Sequence, residues 1–546
     1  MLTERSRGGP AVQPGKSSKK DWEMITRTGR YTGVLSLGIV AGCAFGQVAG
    51  YEVIDLGTLP SPADPKSDAW AINDRHEIVG WAIDSFNQTH ATIWLYCPNY
   101  GLAAGQWHDL TDMAGENDFG EAYDINMSGL VVGRQTVSTS GWTPRGYIWD
   151  VASSPLVTTE LDTLVGGATT EGFAAAINDA SPAIVVGFAQ ASGSCGFSPR
   201  YEAFSYQSGD PPTTLTALGA NSGNFFSMAS GVNNASTPRA AGRSTSEQCL
   251  ITSCQNDQTA VDWTISGSPT LTTLPDNGAA YGAQAWGIND AGHAVGLALT
   301  ATSPCVKHAA FWSTSSSSPV DLGSIGISGS DASRAFRLTE SGASGEVTVV
   351  GGDTTNALAY RWYRDGTGTW SGTDLNSLIS PLCGWVLSEA HDVSSDGWIV
   401  GGGWIAQPAG GSEYHGFLLK PITCLGDLDG SCTVNGADLG ILLGAWGCTS
   451  PCPACRADLN RDGLINGADL GIILGAWGAA CECWSCPSGN RSNVAQESES
   501  DSVLAEGLAI LGYGSVAEFN ASLRNRSDSE RAEVLDWLLI YLTARN

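Results

Sequence analysis

Short apolar segments alternate with polar turns from residue 51 to 420, and one version of this pattern recurs throughout. The fragment Ala69-Trp-Ala-Ile-Asn-Asp-Arg-His-Glu-Ile-Val-Gly80 combines an apolar strand, an Asn-Asp turn and a second apolar strand, which predicts a β-hairpin. Seven copies end on the glycines Gly80, Gly133, Gly187, Gly242, Gly296, Gly351 and Gly401, which are 53, 54, 55, 54, 55 and 50 residues apart. The regular spacing indicates a repeat architecture.

Each repeat adds two further elements to the hairpin. An Asp-Leu or Thr-Leu pair such as Asp55-Leu56 precedes it, and a short strand that ends in an aromatic residue, such as Ala91-Thr-Ile-Trp94, follows it. Four short strands per unit of about 54 residues are typical of a propeller blade. The sequence therefore predicts a mainly β fold, a seven-bladed β-propeller over residues 51–420, with an open β-solenoid of the same units as the alternative.

The repeats resemble the HAF-type extracellular repeat, a bacterial family named for a His-Ala-Phe element. The element is present as His90-Ala91, His308-Ala309 and His415-Gly416-Phe417. The resemblance covers residues 51–420 and implies an architecture rather than an activity. Because these histidines share one repeat position, we expect them to serve the scaffold, and we assign the turn aspartates, such as Asp74, to local turn formation.

The tryptophans divide into two groups by their place in the repeat. Five recur at the end of the final blade strand, where packing between blades explains them: Trp94, Trp149, Trp263, Trp312 and Trp362. Four others are less regular and are candidates for an exposed, glycan-binding surface: Trp70, Trp81, Trp286 and Trp398.

A second pattern lies near the C-terminus, where thirteen nearly identical residues occur twice, at Asn435–Gly447 and Asn466–Gly478, each after an acidic run. Calcium takes about six to eight oxygen ligands, and a twelve-residue loop supplies them from positions 1, 3, 5, 7, 9 and 12. The candidate calcium ligands are Asp427, Asp429, Ser431, Thr433, Asn435 and Asp438 in the first loop and Asp458, Asn460, Asp462, Leu464, Asn466 and Asp469 in the second. We therefore predict two Ca²⁺ sites.

The two loops differ at the position of the sharp turn. Gly463 occupies position 6 of the second loop, where a positive φ is needed, whereas Cys432 occupies it in the first. A side chain at positive φ costs about 1 kcal/mol, and Ser431 replaces an aspartate at position 5. We therefore expect the second site to be the more secure.

The duplicated segment resembles a type I dockerin, in which each calcium loop is followed by one helix and the entering helix of an EF-hand is missing. The resemblance implies a small α module at residues 424–486 that binds a cohesin-type partner in a calcium-dependent way. In that family the residues around loop position 12 meet the partner, which here implicates Gly436, Ala437, Leu439, Gly467, Ala468 and Leu470. Their near identity implies two docking orientations.

Charge and the N-terminus bear on partners and location. The 546 residues carry 27 Lys and Arg against 55 Asp and Glu, a net charge of −28, which argues against nucleic acid as a partner. An apolar stretch ending at Ala44-Phe45-Gly46 predicts a signal peptide within residues 1–46 rather than a membrane span. We expect an extracellular or cell-surface protein, with a lipid anchor at Cys43 as an alternative to simple cleavage.

Cysteine usage agrees with export. Of 15 cysteines, eight surround the calcium loops: Cys424, Cys432, Cys448, Cys452, Cys455, Cys481, Cys483 and Cys486. We expect disulfides, with the pairing left open, and regard thiolate zinc sites as the weaker alternative. After a Ser-rich linker at 487–502, residues 503–546 show a helical pattern whose apolar face packs locally or meets a partner.

Three functional classes remain. The chain contains no nucleophile elbow, zinc-protease helix, phosphate loop or dinucleotide fingerprint, so no residue is predicted to be catalytic. We prefer a secreted, non-catalytic binding or scaffold protein with a calcium-dependent attachment module. The alternatives are a carbohydrate-active enzyme that hydrolyses O-glycosyl bonds in polysaccharide breakdown, and a purely structural extracellular protein stabilised by calcium.

Overall fold

A computed structural model describes residues 50–481, Cys486 and Ser522, apart from gaps at 61–64, 114–118, 138–142, 167–169, 196–197, 221–223, 247–257, 277–281, 303–304, 328–331, 342–344 and 409. The predicted signal peptide, the possible lipid anchor at Cys43, the linker and the C-terminal helices lie outside the described residues. No helix within the described ranges is long and apolar enough to cross a bilayer.

Twenty-eight strands form seven antiparallel sheets of four strands each. The innermost strand of each blade comes first in the following lists. Blade 1 contains β2 (Ser67–Ile72), β3 (Glu77–Ile83), β4 (Thr89–Leu95) and β5 (Trp107–Asp109), and blade 2 contains β6 (Gly120–Ile125), β7 (Leu130–Val137), β8 (Thr143–Asp150) and β9 (Val157–Leu161). Blade 3 contains β10 (Gly172–Ile177), β11 (Ile184–Cys195), β12 (Ser198–Gln207) and β13 (Thr216–Ala217). Blade 4 contains β14 (Asn224–Val232), β15 (Arg239–Ser246), β16 (Gln258–Thr264) and β17 (Thr270–Thr273). Blade 5 contains β18 (Gln284–Ile288), β19 (Ala294–Thr302), β20 (Cys305–Trp312) and β21 (Val320–Asp321), and blade 6 contains β22 (Ser333–Ser341), β23 (Glu346–Asp353), β24 (Leu358–Arg364) and β25 (Trp370–Asp374). Blade 7 contains β26 (Trp385–Val393), β27 (Ile399–Ala406), β28 (Ser412–Pro421) and β1 (Tyr51–Asp55).

The blades close into a ring. The first strand of the chain, β1, pairs antiparallel with β28, so that Tyr51 lies opposite Pro421 and Asp55 opposite Phe417, and it completes blade 7 as the outer strand. Each innermost strand also contacts the innermost strands of both neighbouring blades, including β2 with β26. The predicted seven-bladed propeller is therefore confirmed, and the open solenoid is wrong.

A β-bulge explains the alanine and glycine of every repeat. In each blade the alanine of the innermost strand lies opposite the closing glycine, as with Ala69 and Gly80, and the residue after the alanine has no partner in the ladder. A methyl group added to Gly80 would overlap the carbonyl oxygen of Asp68, and the other six closing glycines are equally confined. The bulge frees one side chain per blade from the sheet.

The Asn-Asp turns link neighbouring blades. The Oδ1 atom of Asn178 accepts hydrogen bonds from its own turn, at 2.7 Å from the Ile184 nitrogen, while its Nδ2 donates to the Asn233 carbonyl of the next blade at 3.0 Å. The same donation to the following blade is made by Asn73, Asn126 and Asn233. The turn asparagines thus form a chain of hydrogen bonds across blades 1 to 5.

The turn aspartates do not act as the sequence suggested. Asp179 accepts a hydrogen bond from the Met127 nitrogen of the preceding blade at 2.7 Å, and Asp74 accepts one from the Ser395 nitrogen of blade 7 at 2.8 Å. Our assignment to local turn formation was wrong, because the asparagine oxygen already satisfies the turn and leaves the aspartate free to bridge blades.

The other repeated residues serve the core. The five repeated tryptophans are at most 4% exposed, so their predicted packing is confirmed. Their predicted place on the final blade strand was wrong: they lie on the third strand, because the Asp-Leu element of the next repeat forms the outer strand of each blade. The HAF histidines pair with the aspartates of the Asp-Leu elements on the adjacent outer strands. The Nδ1–carboxylate distances are 2.6 Å for His90 with Asp109, 2.8 Å for His308 with Asp321 and 2.8 Å for His415 with Asp55.

Beyond the propeller lies a small helical region. A short helix α1 (Leu110–Met113) lies in blade 1, whereas α2 (Gly436–Gly444) and α3 (Gly467–Gly475) follow the two acidic loops. Leu428, Val434, Leu442, Ile465 and Ile473 are among the residues of its core. The two halves exchange backbone bonds, from Gly447 to the Ile465 carbonyl and from Gly478 to the Val434 carbonyl, so the duplicated sequence folds as two similar units.

We expect Asn178→Ala to lower the free energy of unfolding by about 1–3 kcal/mol, because it removes an inter-blade donor and leaves buried backbone groups without partners. The matched control is Asn356→Ala at an exposed turn, for which we expect a change below about 0.5 kcal/mol. Denaturant unfolding measures both. Equal effects of the two substitutions would show that the asparagine chain contributes nothing beyond turn formation.

Candidate functional site

The first acidic loop gathers carboxylates at one point. The carboxylates of Asp427, Asp429 and Asp438 each place an oxygen within 4.8 Å of the others. Backbone nitrogens fix them: Asp438 accepts from Leu428 at 2.6 Å and from Asn435 at 2.8 Å, which also caps α2. Burial raises the pKa values of Asp427 and Asp438.

The turn of the first loop has the strained conformation that its sequence implies. Cys432 has a φ of 71°, and the equivalent Gly463 has a φ of 84°. The Cys432 nitrogen donates to Asp427 Oδ2 at 3.0 Å, which holds the turn. Cys432 is also disulfide-bonded, so a covalent link accompanies the strained residue.

The second loop repeats the backbone scaffold with a different side-chain arrangement. Asp469 accepts from the Leu459 nitrogen at 2.8 Å and caps α3, and Asp458 Oδ2 accepts from the Gly463 nitrogen at 3.0 Å. Asn460 Nδ2 donates to Asp462 at 2.9 Å. The close carboxylate triad belongs to the first loop, whereas the sequence favours the second, so the ranking of the two sites stays a prediction.

The donor chemistry of both loops fits calcium. Oxygens that bind one Ca²⁺ at about 2.3–2.6 Å lie within about 5 Å of one another, and the triad of Asp427, Asp429 and Asp438 meets this condition. The remaining predicted ligands lie on the same loops, namely Ser431, Thr433 and Asn435 in the first and Leu464 and Asn466 in the second. Carboxylate, amide, hydroxyl and carbonyl oxygens are the ligands of a hard cation.

The module that contains the two acidic loops is joined to the propeller at its second loop. Cys383, just before β26, forms a disulfide with Cys455, just before the second loop. Ser380 Oγ donates to Asp458 at 2.6 Å, and Arg461 donates to the Leu378 carbonyl at 3.1 Å. The other described disulfides are Cys97–Cys486, Cys424–Cys481 and Cys448–Cys452.

The predicted partner-binding residues differ in exposure. Leu439 and Leu470 are 1% and 0% exposed in the module core, so their side chains are not available to a partner, because the helices need them to pack together. Gly436 is also buried, whereas Ala437 and Gly467 are partly exposed and Ala468 is exposed. The helix surface that a partner can reach is therefore small, and it is more open on α3 than on α2.

A second candidate site lies in the central channel. The bulge residues of blades 1, 2, 5, 6 and 7 carry rings that contact one another around the axis: Trp70, Tyr123, Trp286, Phe336 and His391, here called the collar. Trp70 lies 4.9 Å from His391 and 5.7 Å from Tyr123, and Phe336 lies 5.4 Å from His391 and 5.2 Å from Trp286, measured between ring centroids.

Sequence reasoning found only part of the collar. Trp70 and Trp286 were predicted as surface candidates, and Trp70 is 36% exposed, but Trp398 is only 3% exposed and stacks on His76 at 3.8 Å. Assigning Trp398 to the surface was wrong. The signal that identifies the collar is the residue after the alanine of each repeat, because the bulge frees that side chain.

Ion pairs surround the collar. His391 lies 3.5 Å from Asp68 and 3.5 Å from Glu389. Burial alone would lower the pKa of His391, but the two carboxylates raise it to about 9, so it stays charged at neutral pH. Glu389 also accepts from Arg334 Nε at 2.7 Å.

Two carboxylates, the partly buried Asp124 and the buried Asp392, lie one residue further along the innermost strands. Asp124 Oδ2 accepts from the Ile177 nitrogen, and Asp392 Oδ2 accepts from the Ile72 nitrogen, both at 3.0 Å and across blades. Burial raises the pKa of Asp124 to about 6 and that of Asp392 to about 7, although Arg337 opposes both shifts.

Comparisons with known proteins give structural similarity alone. No protein-family model and no curated protein sequence matches the chain. Among solved structures, the β-propeller domain of the Trilobed protease from Pyrococcus furiosus is 8% identical with a TM-score of 0.40, over 66% of this chain and 96% of that chain. An AofleA mutant from Arthrobotrys oligospora is 11% identical with a TM-score of 0.30, over 59% and 89% of the two chains. The AtxE2 isopeptidase is 10% identical with a TM-score of 0.23, over 68% and 59%. Scores this low transfer no ligand or activity.

We expect the free energy of unfolding to depend less steeply on pH in Asp392→Asn. The folded-state pKa near 7 lies above the ordinary value of 3.8, so folding favours the protonated acid and this group costs stability progressively as pH rises from about 4 to about 7. The substitution also removes an acceptor at every pH, so the slope is the diagnostic quantity. Denaturant unfolding at several pH values measures it, and an unchanged slope would contradict the assignment.

Proposed function

We propose that this chain is a secreted, non-catalytic binding protein in which the propeller presents a ligand surface and the C-terminal module attaches the protein to a cohesin-type partner when it holds calcium. The observation that carries the proposal is the pair of similar loop–helix units, each with an aspartate at loop position 12 whose carboxylate caps its own helix. Calcium would be bound by the side chains of positions 1, 3, 5, 9 and 12 and the carbonyl of position 7.

Two of the carboxylates beside the collar are in a state that supports a binding role over a catalytic one. Around the collar, Glu121 is paired with Arg134 at 2.9 Å, and Glu389 with Arg334 at 2.7 Å. A hydrolase that uses two carboxylates needs them opposed across a cleft with different protonation states. Carboxylates that are occupied by arginine are instead suited to shaping a binding surface.

Calorimetric titration of the chelator-treated protein tests the metal sites. We expect two calcium sites in the wild-type chain and one in each of Asp427→Asn and Asp458→Asn, with the second loop binding more tightly. Calcium at about 100 times its Kd adds about 2.7 kcal/mol to the free energy of unfolding. Asp365→Asn, at a partly exposed propeller turn, is the control and keeps both sites. Absence of calcium binding in the wild type would overturn the proposal.

Capture by a panel of cohesin domains, with and without chelator, tests the partner. We expect capture only with calcium, and a larger loss in Ala468→Arg than in Ala437→Arg because Ala468 is the more exposed. The double variant should lose capture while still binding calcium in the titration. Capture that survives chelation would rule out attachment through the loops, and binding of calcium without any capture would favour the purely structural alternative.

A further inference from the structure

Two blades depart from the collar pattern. All seven blades have the bulge, but the freed residue is a ring in blades 1, 2, 5, 6 and 7 and a small side chain in blades 3 and 4, namely Ala175 and Ser230. Both small residues are partly exposed. The ring of aromatic side chains is therefore interrupted at Ala175 and Ser230, between Tyr123 and Trp286, and we call this interruption the notch. Since the same backbone position accommodates rings elsewhere in the chain, the missing rings are a property of the sequence and not of the fold.

The residue just before the alanine of each innermost strand also differs in blades 3 and 4. Asp68, Glu121, Gln284, Arg334 and Glu389 are polar, whereas Phe173 and Met228 of blades 3 and 4 are apolar. Phe173 stacks on Phe188 with a centroid distance of 4.6 Å. The notch is therefore bordered by two small side chains, two apolar side chains and one aromatic ring on each side, which is the mixture of residue types found in ligand pockets.

The acidic residues just before the alanines are each paired with a cation, whereas a cation beside the notch has no such partner. Asp68 faces His391, Glu121 faces Arg134 and Glu389 faces Arg334, as described above. Among the described residues, Arg243 has no acidic partner: its Nη1 donates to Gln284 Oε1 at 2.6 Å and its Nη2 lies 3.0 Å from Met228 Sδ. Gln284 and Met228 each lie two residues before the bulge positions of blades 5 and 4, so this guanidinium borders the notch.

Burial lowers the pKa of Arg243, as expected for a guanidinium that is partly removed from water without a carboxylate beside it. Such a cation costs free energy unless an anion joins it. This is unexpected in a chain with a net charge of −28, which offers many carboxylates that could have paired with it.

We propose that the notch binds a single anionic sugar residue, whose ring stacks against Trp286 or Tyr123 and whose acidic group is held by Arg243. The ring faces explain the cyclic ligand, because aromatic faces offer a flat apolar surface, while the Ser230 hydroxyl can bond to a ring hydroxyl. A guanidinium binds carboxylate or sulfate with two parallel hydrogen bonds. The proposal gives a ligand class to the propeller surface and rests on the binding role proposed above.

The overall charge limits the ligand further. A polyanion would meet repulsion from the net charge of −28, whereas a single acidic residue inside a largely neutral glycan interacts mainly within the screening length of about 8 Å. We therefore infer an isolated acidic sugar, such as a chain-terminal uronate or sulfated residue, rather than a densely charged polysaccharide.

Titration of the full-length protein with three matched oligosaccharides tests the proposal: one ending in glucuronic acid, one ending in a glucose 6-sulfate and one ending in glucose. We expect at least one of the acidic probes to bind about tenfold or more tightly than the neutral one, with an affinity that falls as salt increases. Which acidic probe binds more tightly identifies the group. Equal binding of all three probes, or binding of none, would overturn the proposal.

Variants connect any binding to the notch. Arg243→Gln should lose the preference for the acidic probe, and Ser230→Tyr, which copies the ring of blade 2, should abolish binding by filling the notch. Trp404→Ala, an exposed tryptophan outside the collar, and Arg75→Gln, at an Asn-Asp turn, are the controls and should bind normally. Thermal unfolding checks that each variant is folded. Undiminished binding in both folded notch variants would refute the site.

The same titration separates this inference from the attachment role. The notch uses propeller residues alone, so we expect glycan binding to persist in chelator. A protein that binds calcium and cohesin but none of the sugars would keep the attachment function and lose only the proposed ligand. Glycan binding that disappears with chelator would place the sugar at the calcium module instead and would contradict the notch.

Discussion

The β-bulge on every innermost strand is the constraint on which the propeller depends. The bulge brings the carbonyl oxygen of the residue before the alanine so close to the opposite strand that only glycine fits at the closing position of that strand. It also removes one side chain per blade from the ladder. That side chain faces the axis, so seven equivalent positions form a ring in which each blade can be altered independently. The scaffold thus separates residues that hold the blades together from residues that define the channel.

The sequence predicted the fold well because its period was visible. Regularly spaced glycines, turn asparagines and terminal tryptophans indicated blade number and most of the core. The sequence did not reveal the collar, because its members share a position but not a residue type, and a register-dependent bulge decides where they point. Trp398 shows the same limit: its irregular place in the repeat suggested exposure, yet it stacks on His76 of the adjacent blade. Contacts between repeats cannot be deduced from one repeat.

The two candidate sites lie on different parts of the molecule and use different chemistry. The two acidic loops offer oxygen donors on a small module, and the collar offers aromatic rings and charged side chains inside the ring of blades. Contacts to Leu378, Ser380 and Cys383, in the connection between blades 6 and 7, join the module to the propeller. The contacts that fix the module and the residues that form the collar are therefore different residues of the chain.

The closing strand has a mechanical consequence. Tyr51 lies opposite Pro421, so the chain enters and leaves the propeller at one end of the same strand pair. Force applied between these two chain ends would peel β1 from β28 one hydrogen bond at a time, and a sheet resists peeling less than any other direction of force. Arg456, which binds Glu52 at 3.1 Å, and the disulfides from the module to blades 1 and 7 bypass this seam. Blades 1 and 7 are thus also linked covalently through the module, in parallel with the ladder between β1 and β28.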